Sequence, residues 1–204
     1  MFCENYDQFV SELEKRNYTV HSAKDAAEAK AIALSLVGNS SVGCGGSVTV
    51  HSMGLPDAMR EQGCSVYFHW EHEPKDRPAI FEKAAKADWY ICSTNGITRK
   101  GKLVNIDGNG NRVASMFFGP KRVTLIIGKN KFSETVDESI DRIKAVACPA
   151  NAKRLSRVTP CAASGRCVDC YAAHRMCNVT TIIEAKPGLI DELHLILVDE
   201  ELGY

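Results

Sequence analysis

The sequence predicts an α/β fold in which a mostly parallel sheet is flanked by helices. Short apolar or β-branched runs alternate along the chain with longer stretches of helical pattern. This alternation is typical of parallel sheets, because each connection between parallel strands crosses over through a helix. The strand candidates are SVGCG (41–45), CSVYFHW (64–70), DWYICS (88–93), RVTLIIG (122–128) and LHLILVDE (193–200).

Two helices are predicted to open the chain. Phe9, Val10 and Leu13 recur at helical spacing, and the alanine-rich stretch 23–38 ends at Gly38, a suitable C-cap. Further helical stretches separate the strand candidates, namely GLPDAMREQG (54–63), RPAIFEKAAKA (77–87) and TVDESIDRIKAVACPANAKRL (135–155).

The chain is expected to form a single domain over residues 1–204. Its one shift in composition is a cysteine-rich, basic segment at 148–178, with five Lys or Arg residues and one acid. Strand candidates resume after this segment, at TTIIE (180–184) and LHLILVD (193–199). We therefore interpret 148–178 as an insert within the domain.

Charge and hydropathy exclude several classes of partner. Of the 204 residues, 25 are basic and 25 acidic, so no overall basic field gathers nucleic acid. No export signal and no membrane-spanning apolar run is apparent, which predicts a cytoplasmic protein without a membrane partner. In a reducing compartment the nine cysteines are not expected to form a disulfide framework, and clustered cysteines more often bind metal or do redox chemistry.

A glycine-rich turn at SVGCGGSVTVHSMGL (41–55) is the first candidate site. Glycines let backbone N–H groups approach an anion, hydroxyls add donors, and a following helix would add partial positive charge. The alternative is that the glycines serve tight packing. Cys44, inside the turn, is expected to be a small buried side chain rather than a nucleophile.

A second polar segment, STNGITRKGKLVNIDGNGNRVA (93–114), follows the strand candidate at 88–93. Its start therefore falls where open α/β sheets place ligands. Asp107 either faces the ligand or belongs to a β-hairpin turn, because Asp-Gly and Asn-Gly favour such turns. His69 and His72, in HWEHEPKDRP, are expected to be solvated loop residues.

Four cysteines within seventeen residues are the strongest metal signal. Cys161, Cys167, Cys170 and Cys177 have the spacing C-x5-C-x2-C-x6-C. Four thiolates suit Zn²⁺ or a 4Fe–4S cluster, and the choice between them stays open, as does a redox disulfide. Cys148 is expected to be a buried thiol at a helix end, and Cys3, Cys64 and Cys92 to be exposed without partners.

Several of these motifs, in this order, resemble the LUD family of lactate-utilisation proteins. They are VGCGGSVTVHSMGL, NGITRKGKLVNIDGNGNRVA, FGPKRVTLIIGKNK, CPANAKRL and GRCVDCYAAHRMCNVTTII. The resemblance implies a fold similar to the ribose-phosphate isomerase, glucosamine-phosphate deaminase and CoA-transferase group. It also implies an anion loop and a second wall, and Asn151 and Arg154 resemble family positions that contact either an anionic ligand or another part of the fold. The loop would be Gly43, Gly45, Gly46, Ser47, Val48 and Thr49, and the wall Thr94, Asn95 and Gly96.

The chain departs from the enzymes of that fold group. No second acid follows Asp107, as an isomerase would need, and no glutamate sits beside a glycine-rich turn, as a CoA-transferase would need. Proteins with similar folds often dimerise, so the resemblance implies a homodimer.

Three functions are therefore expected. The first is a metal- or iron–sulfur-bearing accessory that works with other subunits to oxidise lactate or a similar 2-hydroxy acid. The second is a stand-alone isomerase or CoA/acyl transferase acting on a phosphorylated or CoA-linked molecule, with Asp107 as candidate catalytic residue. The third is a zinc-braced module that binds an anionic ligand. No flavin or nicotinamide motif is present.

Overall fold

A computed structural model describes residues 2–204, which form two sheets and their covering helices. The strands are β1 (Thr19–Ala23), β2 (Ser41–Cys44), β3 (Ser65–Phe68), β4 (Trp89–Cys92), β5 (Gly96–Thr98), β6 (Leu103–Asp107), β7 (Arg122–Gly128), β8 (Phe132–Ser133), β9 (Val179–Ile183) and β10 (Glu192–Val198). The α-helices are α1 (Tyr6–Glu14), α2 (Ala26–Val37), α3 (Val48–Ser52), α4 (Leu55–Glu61), α5 (Arg77–Ala85), α6 (Asn111–Phe117), α7 (Val136–Arg142), α8 (Cys148–Arg154) and α9 (Pro160–Ser164).

The main sheet confirms the predicted α/β class. Its six strands run in the order β1-β10-β7-β4-β2-β3, and every neighbouring pair is parallel. The five strand candidates 41–45, 64–70, 88–93, 122–128 and 193–200 supply five of these strands. The central ones are apolar without alternation because hydrophobic clusters cover both faces of the sheet. The edge strand β1, with the sequence TVHSA, was not predicted because it is short and half exposed.

A second, four-stranded sheet has the order β8-β5-β6-β9. Of its strands only β9 was predicted, from TTIIE. β6 pairs antiparallel with both β5 and β9, and its side chains Val104 and Ile106 pack against Ile143, Ala147 and Cys148. This sheet therefore rests on the helical run that ends in α8.

The helical run from Val136 to Arg154 is continuous and includes a π-helical stretch, Ile143–Ala147, between α7 and α8. Pro149 lies two residues after this stretch, and because proline lacks an N–H and crowds the preceding turn, a wider turn before it relieves the helix. Residue 148 thus lies inside a helical run, so the structure does not confirm an insert that begins there. The irregular part of the predicted insert begins after Arg154 and, apart from the short α9, continues to β9.

Two cysteines are buried where exposure was expected. Cys92 ends the central strand β4 and is fully buried, because that strand is covered on both faces. Cys64 is 8% exposed, and its thiol donates to the carbonyl oxygen of Gly38 at 3.2 Å. The expectation for these two residues was wrong. Cys3 is half-buried.

No helix within residues 2–204 is both long and apolar enough to cross a membrane.

The close contact between β2 and α5 gives a test of the fold. A Cβ at Gly43 would lie 2.3 Å from the carbonyl oxygen of Ala84, a backbone atom that cannot move alone. Gly43→Ala should therefore lower the free energy of unfolding by about 3 kcal/mol in urea titrations. Gly188→Ala is the matched control, since a Cβ there meets no atom within 4 Å. Equal stability of the two variants would contradict the packing described.

Candidate functional site

A cavity of about 960 Å³ opens at the carboxyl ends of the parallel strands. Turns after β2, β4, β6 and β7 form its floor and sides, and the helical run with α8 and the segment 173–178 form the rest. This is the edge at which open α/β sheets bind ligands, because the connections there diverge and leave a crevice.

The glycine-rich turn contributes Gly46, Ser47, Val48 and Thr49 to the cavity wall. Ser47 is the N-cap of α3, and its hydroxyl oxygen accepts the N–H of Val50 at 3.3 Å. Four of the six predicted loop residues therefore reach the site.

The other two glycines of the predicted anion loop serve packing instead. Gly43 lies within β2, against α5. The N–H of Gly45 donates to the carbonyl oxygen of Ile91 at 2.9 Å, and a Cβ at Gly45 would lie 2.8 Å from the Cys92 side chain. Cys44 is buried as expected, and burial raises the pKa of its thiol.

A buried lysine that the sequence analysis missed lies at the floor of the cavity. Lys131 is 3% exposed, and its Nζ lies 3.0 Å from the hydroxyl of Thr49 and 2.7 Å from the hydroxyl of Ser93. Burial, and to a smaller extent the charges of Arg142 and Arg112, lower its pKa to about 7. Its only signal in the sequence is its position just after the strand in IIGKNK.

The second wall is organised by Arg112, another residue that the sequence analysis missed. Its guanidinium is buried, and all five of its N–H groups have an acceptor. Nε donates to Asp107 Oδ2 (3.1 Å), Nη1 to Ser93 O (3.0 Å) and Asn105 Oδ1 (2.7 Å), and Nη2 to Asn95 Oδ1 (2.9 Å) and Ile106 O (3.2 Å).

Asp107 lines the cavity, but both of its carboxylate oxygens are engaged. Oδ1 accepts the N–H groups of Asn109 and Gly110 at 3.1 and 2.8 Å, and Oδ2 accepts from Arg112. The segment after Asp107 leads from β6 into the helix α6 and not into a returning strand, so the β-hairpin alternative was wrong. The antiparallel neighbour β5 precedes β6 in the chain. Asp107 positions the turn and compensates Arg112.

Of the predicted second wall, Thr94 and Asn95 reach the cavity. The Thr94 hydroxyl lies 3.0 Å from the carbonyl oxygen of Gly96, and Asn95 Oδ1 accepts the N–H of Ile106 at 3.1 Å. Gly96 lies within β5, where a Cβ would come within 2.6 Å of the Ser139 hydroxyl. These residues therefore shape the wall, and Gly96 serves packing.

The opposite wall is basic and aromatic. Arg154 lies with its guanidinium carbon 4.3 Å from the centre of the Trp70 ring, and its Nε and Nη2 donate to Asn151 Oδ1 at 3.1 and 2.7 Å. Both predicted contacts from CPANAKRL thus line the cavity. His69 does too, and burial followed by the charge of Arg77 lowers its pKa to about 4. His69 is half-buried against the rings of Phe68, Trp70 and Phe81, so the expectation of a solvated loop histidine was wrong.

Positive charge dominates the lining. Six basic side chains face one acidic side chain, Asp107, which is already paired. The basic residues are Arg77, Arg112, Lys131, Arg154, Arg157 and Arg175. An anion entering the cavity would therefore meet a net positive wall.

The cysteines are only partly brought together. Cys148 is buried as expected, at the start of α8, and its thiol hydrogen-bonds to that of Cys177, which lowers the pKa of Cys177. Cys161 and Cys167 lie near enough to raise the pKa of Cys148 by charge repulsion. Within residues 2–204, however, no three Cys, His, Asp or Glu side chains are arranged to hold a metal ion.

Arg175 hydrogen-bonds to the backbone at two of the four predicted thiol positions. Its guanidinium donates to the carbonyl oxygens of both Cys170 and Cys177, and to the carboxylate of Asp169 at 3.1 Å. These thiols sit on an irregular segment and are not gathered into a ligand set within residues 2–204.

The pattern of the LUD domain matches residues 6–198, nearly the whole chain. The chain belongs to the LUD domain family. Its fold is similar to that in the crystal structure of a DUF162 family protein from Deinococcus radiodurans, with a TM-score of 0.59 at 15% identity, over 97% of this chain and 98% of that one. No curated protein matches the chain significantly. As a LUD domain, the protein is consistent with a role related to lactate utilisation.

The Arg112 hydrogen bonds give a test of the site's architecture. Arg112→Met removes five donors and leaves the buried carboxylate of Asp107 without its partner, so the free energy of unfolding should fall by about 4 kcal/mol. Arg99→Met is the control, because Arg99 pairs with Glu134 at the surface and its loss should change little. A variant of Arg112 as stable as the control in urea unfolding would contradict the account.

Proposed function

We propose that this LUD domain binds a small organic anion in the cavity and acts as an accessory in the oxidation of lactate or a similar 2-hydroxy acid. The observation that carries the proposal is the cavity itself, with six basic side chains, one paired acid and a floor of hydroxyl groups around Lys131. A carboxylate with a neighbouring hydroxyl or carbonyl oxygen matches this combination of cations and short polar groups.

The guanidiniums of the lining differ in how much hydrogen-bonding capacity they have left for a ligand. Arg77 uses its Nε to donate to the carbonyl oxygen of His72 at 3.0 Å, and its terminal nitrogens have no acceptor within residues 2–204. By contrast, all five guanidinium N–H groups of Arg112 already have acceptors. The carboxylate is therefore assigned to Arg77 and Arg154 on the basic wall, and the other polar end of the ligand to Ser47 and Lys131.

Oxidation of a 2-hydroxy acid also requires an electron acceptor. The chain has no flavin or nicotinamide motif, so we place the acceptor on other subunits of a lactate-oxidising system in the cytoplasm. We include in the same proposal that the protein forms a homodimer.

We further propose that Cys161, Cys167, Cys170 and Cys177 bind a 4Fe–4S cluster or Zn²⁺. The spacing of the thiols supports it, as do Arg175, which holds Cys170 and Cys177 in one turn, and the nearness of three of the four thiols to Cys148. The thiols are not gathered into a ligand set, so no chemical step is assigned to the metal.

The size of the cavity favours one alternative, a stand-alone isomerase or acyl transferase. A volume of about 960 Å³ exceeds what lactate needs and would hold a phosphorylated or CoA-linked molecule, with Trp70 and Phe81 as apolar surface. The chemistry favours it less, because Asp107 has both oxygens engaged and no glutamate lines the described cavity. A zinc-braced binding module is the third possibility, and it differs from the first only in the role of the metal.

Ligand binding tests the proposal and its alternative together. In calorimetric titrations, lactate or pyruvate should bind, and Arg77→Met should weaken the binding about tenfold because a charged hydrogen bond is lost. Arg99→Met, outside the cavity, should leave affinity unchanged. Binding of ribose 5-phosphate or coenzyme A with no response to lactate or pyruvate would favour the alternative, and equal losses in both variants would contradict the assigned wall.

Metal content tests the thiol proposal. Protein purified without oxygen should contain iron and sulfide, or one zinc per chain, and Cys167→Ser should lose most of it because a tetrahedral site needs all four thiolates. Cys64→Ser is the control, since Cys64 lies beside Gly38 and away from the segment 161–177. Wild-type protein without metal, or unchanged metal in Cys167→Ser, would refute the four-thiol site.

A further inference from the structure

We propose that Lys131 is a nucleophilic amine that forms a Schiff base with the carbonyl group of a 2-oxo acid bound in the cavity. A 2-oxo acid is the product of oxidising a 2-hydroxy acid, so this inference rests on the proposed function and names the second ligand class of the same site.

The hydrogen bonds around Lys131 suit a neutral amine. The hydroxyl groups of Thr49 and Ser93 donate their own hydrogens to the carbonyl oxygens of Leu202 and Thr94, both at 3.2 Å. Each hydroxyl oxygen can then accept one N–H from Nζ. A neutral amine has two N–H groups and a lone pair, so both N–H groups are satisfied and the lone pair has no partner.

The charges near Lys131 also disfavour the ammonium form. Within residues 2–204, no carboxylate forms a salt bridge with Lys131, and the guanidiniums of Arg142 and Arg112 act on it by charge repulsion. Asp107, the one acid of the cavity, is committed to Arg112. Burial and like charges are the two ways in which proteins activate a lysine as a nucleophile. With its pKa lowered to about 7, a large fraction of Lys131 is unprotonated at neutral pH.

The position of Lys131 allows a ligand to reach it. Although buried from bulk solvent, it lines the cavity together with Ser93 and Thr49, and the basic wall carrying Arg77 lines the same cavity. A 2-oxo acid bound in this cavity therefore shares it with the amine of Lys131.

The proposed step needs no oxidant. The lone pair of Nζ attacks the carbonyl carbon, a C–N bond forms, and the C–O π bond opens to a carbinolamine. The remaining C–O bond then breaks, both amine protons leave with the oxygen as water, and the imine links Lys131 to the former carbonyl carbon. Borohydride, added as a hydride donor, would reduce this imine to a stable secondary amine.

Reductive trapping with pyruvate tests the inference. Wild-type protein is incubated with pyruvate and sodium cyanoborohydride at pH 7.5. At this pH free surface lysines, with a pKa of about 10.4, remain protonated. The modified lysine is then located by peptide mass spectrometry. The adduct should lie on Lys131 and should decline as the pH falls below about 7, because the ammonium form has no lone pair. Peptide mapping of the wild type does not depend on whether a variant folds.

Two variants complete the test. Lys131→Met should lose the adduct, and Lys129→Met should keep it, because Lys129 lies in the same turn but pairs with Asp199 outside the cavity. An adduct that persists in Lys131→Met, or that is spread evenly over surface lysines, would overturn the inference. Calorimetric binding of pyruvate without any adduct would overturn the Schiff base alone, whereas neither binding nor adduct would overturn the proposed function as well.

Discussion

The site depends on one buried guanidinium. Arg112 connects the turn after β4, the strand β6 and the strand-to-helix turn at Asp107, so it joins the main sheet to the second sheet at the edge where the cavity opens. Because all five of its N–H groups are used, it fixes the wall and cannot itself bind a ligand. A buried ion pair of this kind contributes little net stability, but it requires one arrangement of its partners.

The same pair determines the electrostatics of the cavity. Asp107 neutralises the charge of Arg112 and forms no ion pair with Lys131. The hydrogen-bond partners of Lys131 at the floor of the cavity are the hydroxyl groups of Thr49 and Ser93. The remaining cations of the wall are therefore not balanced by acids within the cavity. The pairing thus favours an anionic ligand, and it leaves Lys131, whose pKa is lowered mainly by burial, without a carboxylate partner.

Prediction from the sequence succeeded where the signal is local. The apolar runs at 122–128 and 193–200 predict buried strands, and the turns after parallel strands share one edge of the sheet, which is why Ser47 and Asn95 line one cavity. Asp107 reaches the same cavity from β6 of the second sheet. Lys131 and Arg112 were missed because each looks like an ordinary surface residue until distant segments pack over it. The strands β5 and β8 are too short to show a period, and the contact between Cys148 and Cys177 joins a helix to a loop.

The most direct measurement of the central claim is hydrogen exchange of the Arg112 guanidinium in protein labelled with nitrogen-15 arginine. The account predicts an Nε–H resonance that exchanges far more slowly than that of free arginine and that disappears in Arg112→Lys, because every guanidinium N–H is buried and bonded. An Arg112 Nε–H that exchanges as fast as free arginine would contradict it, since the guanidinium would then be open to solvent and could not fix the wall.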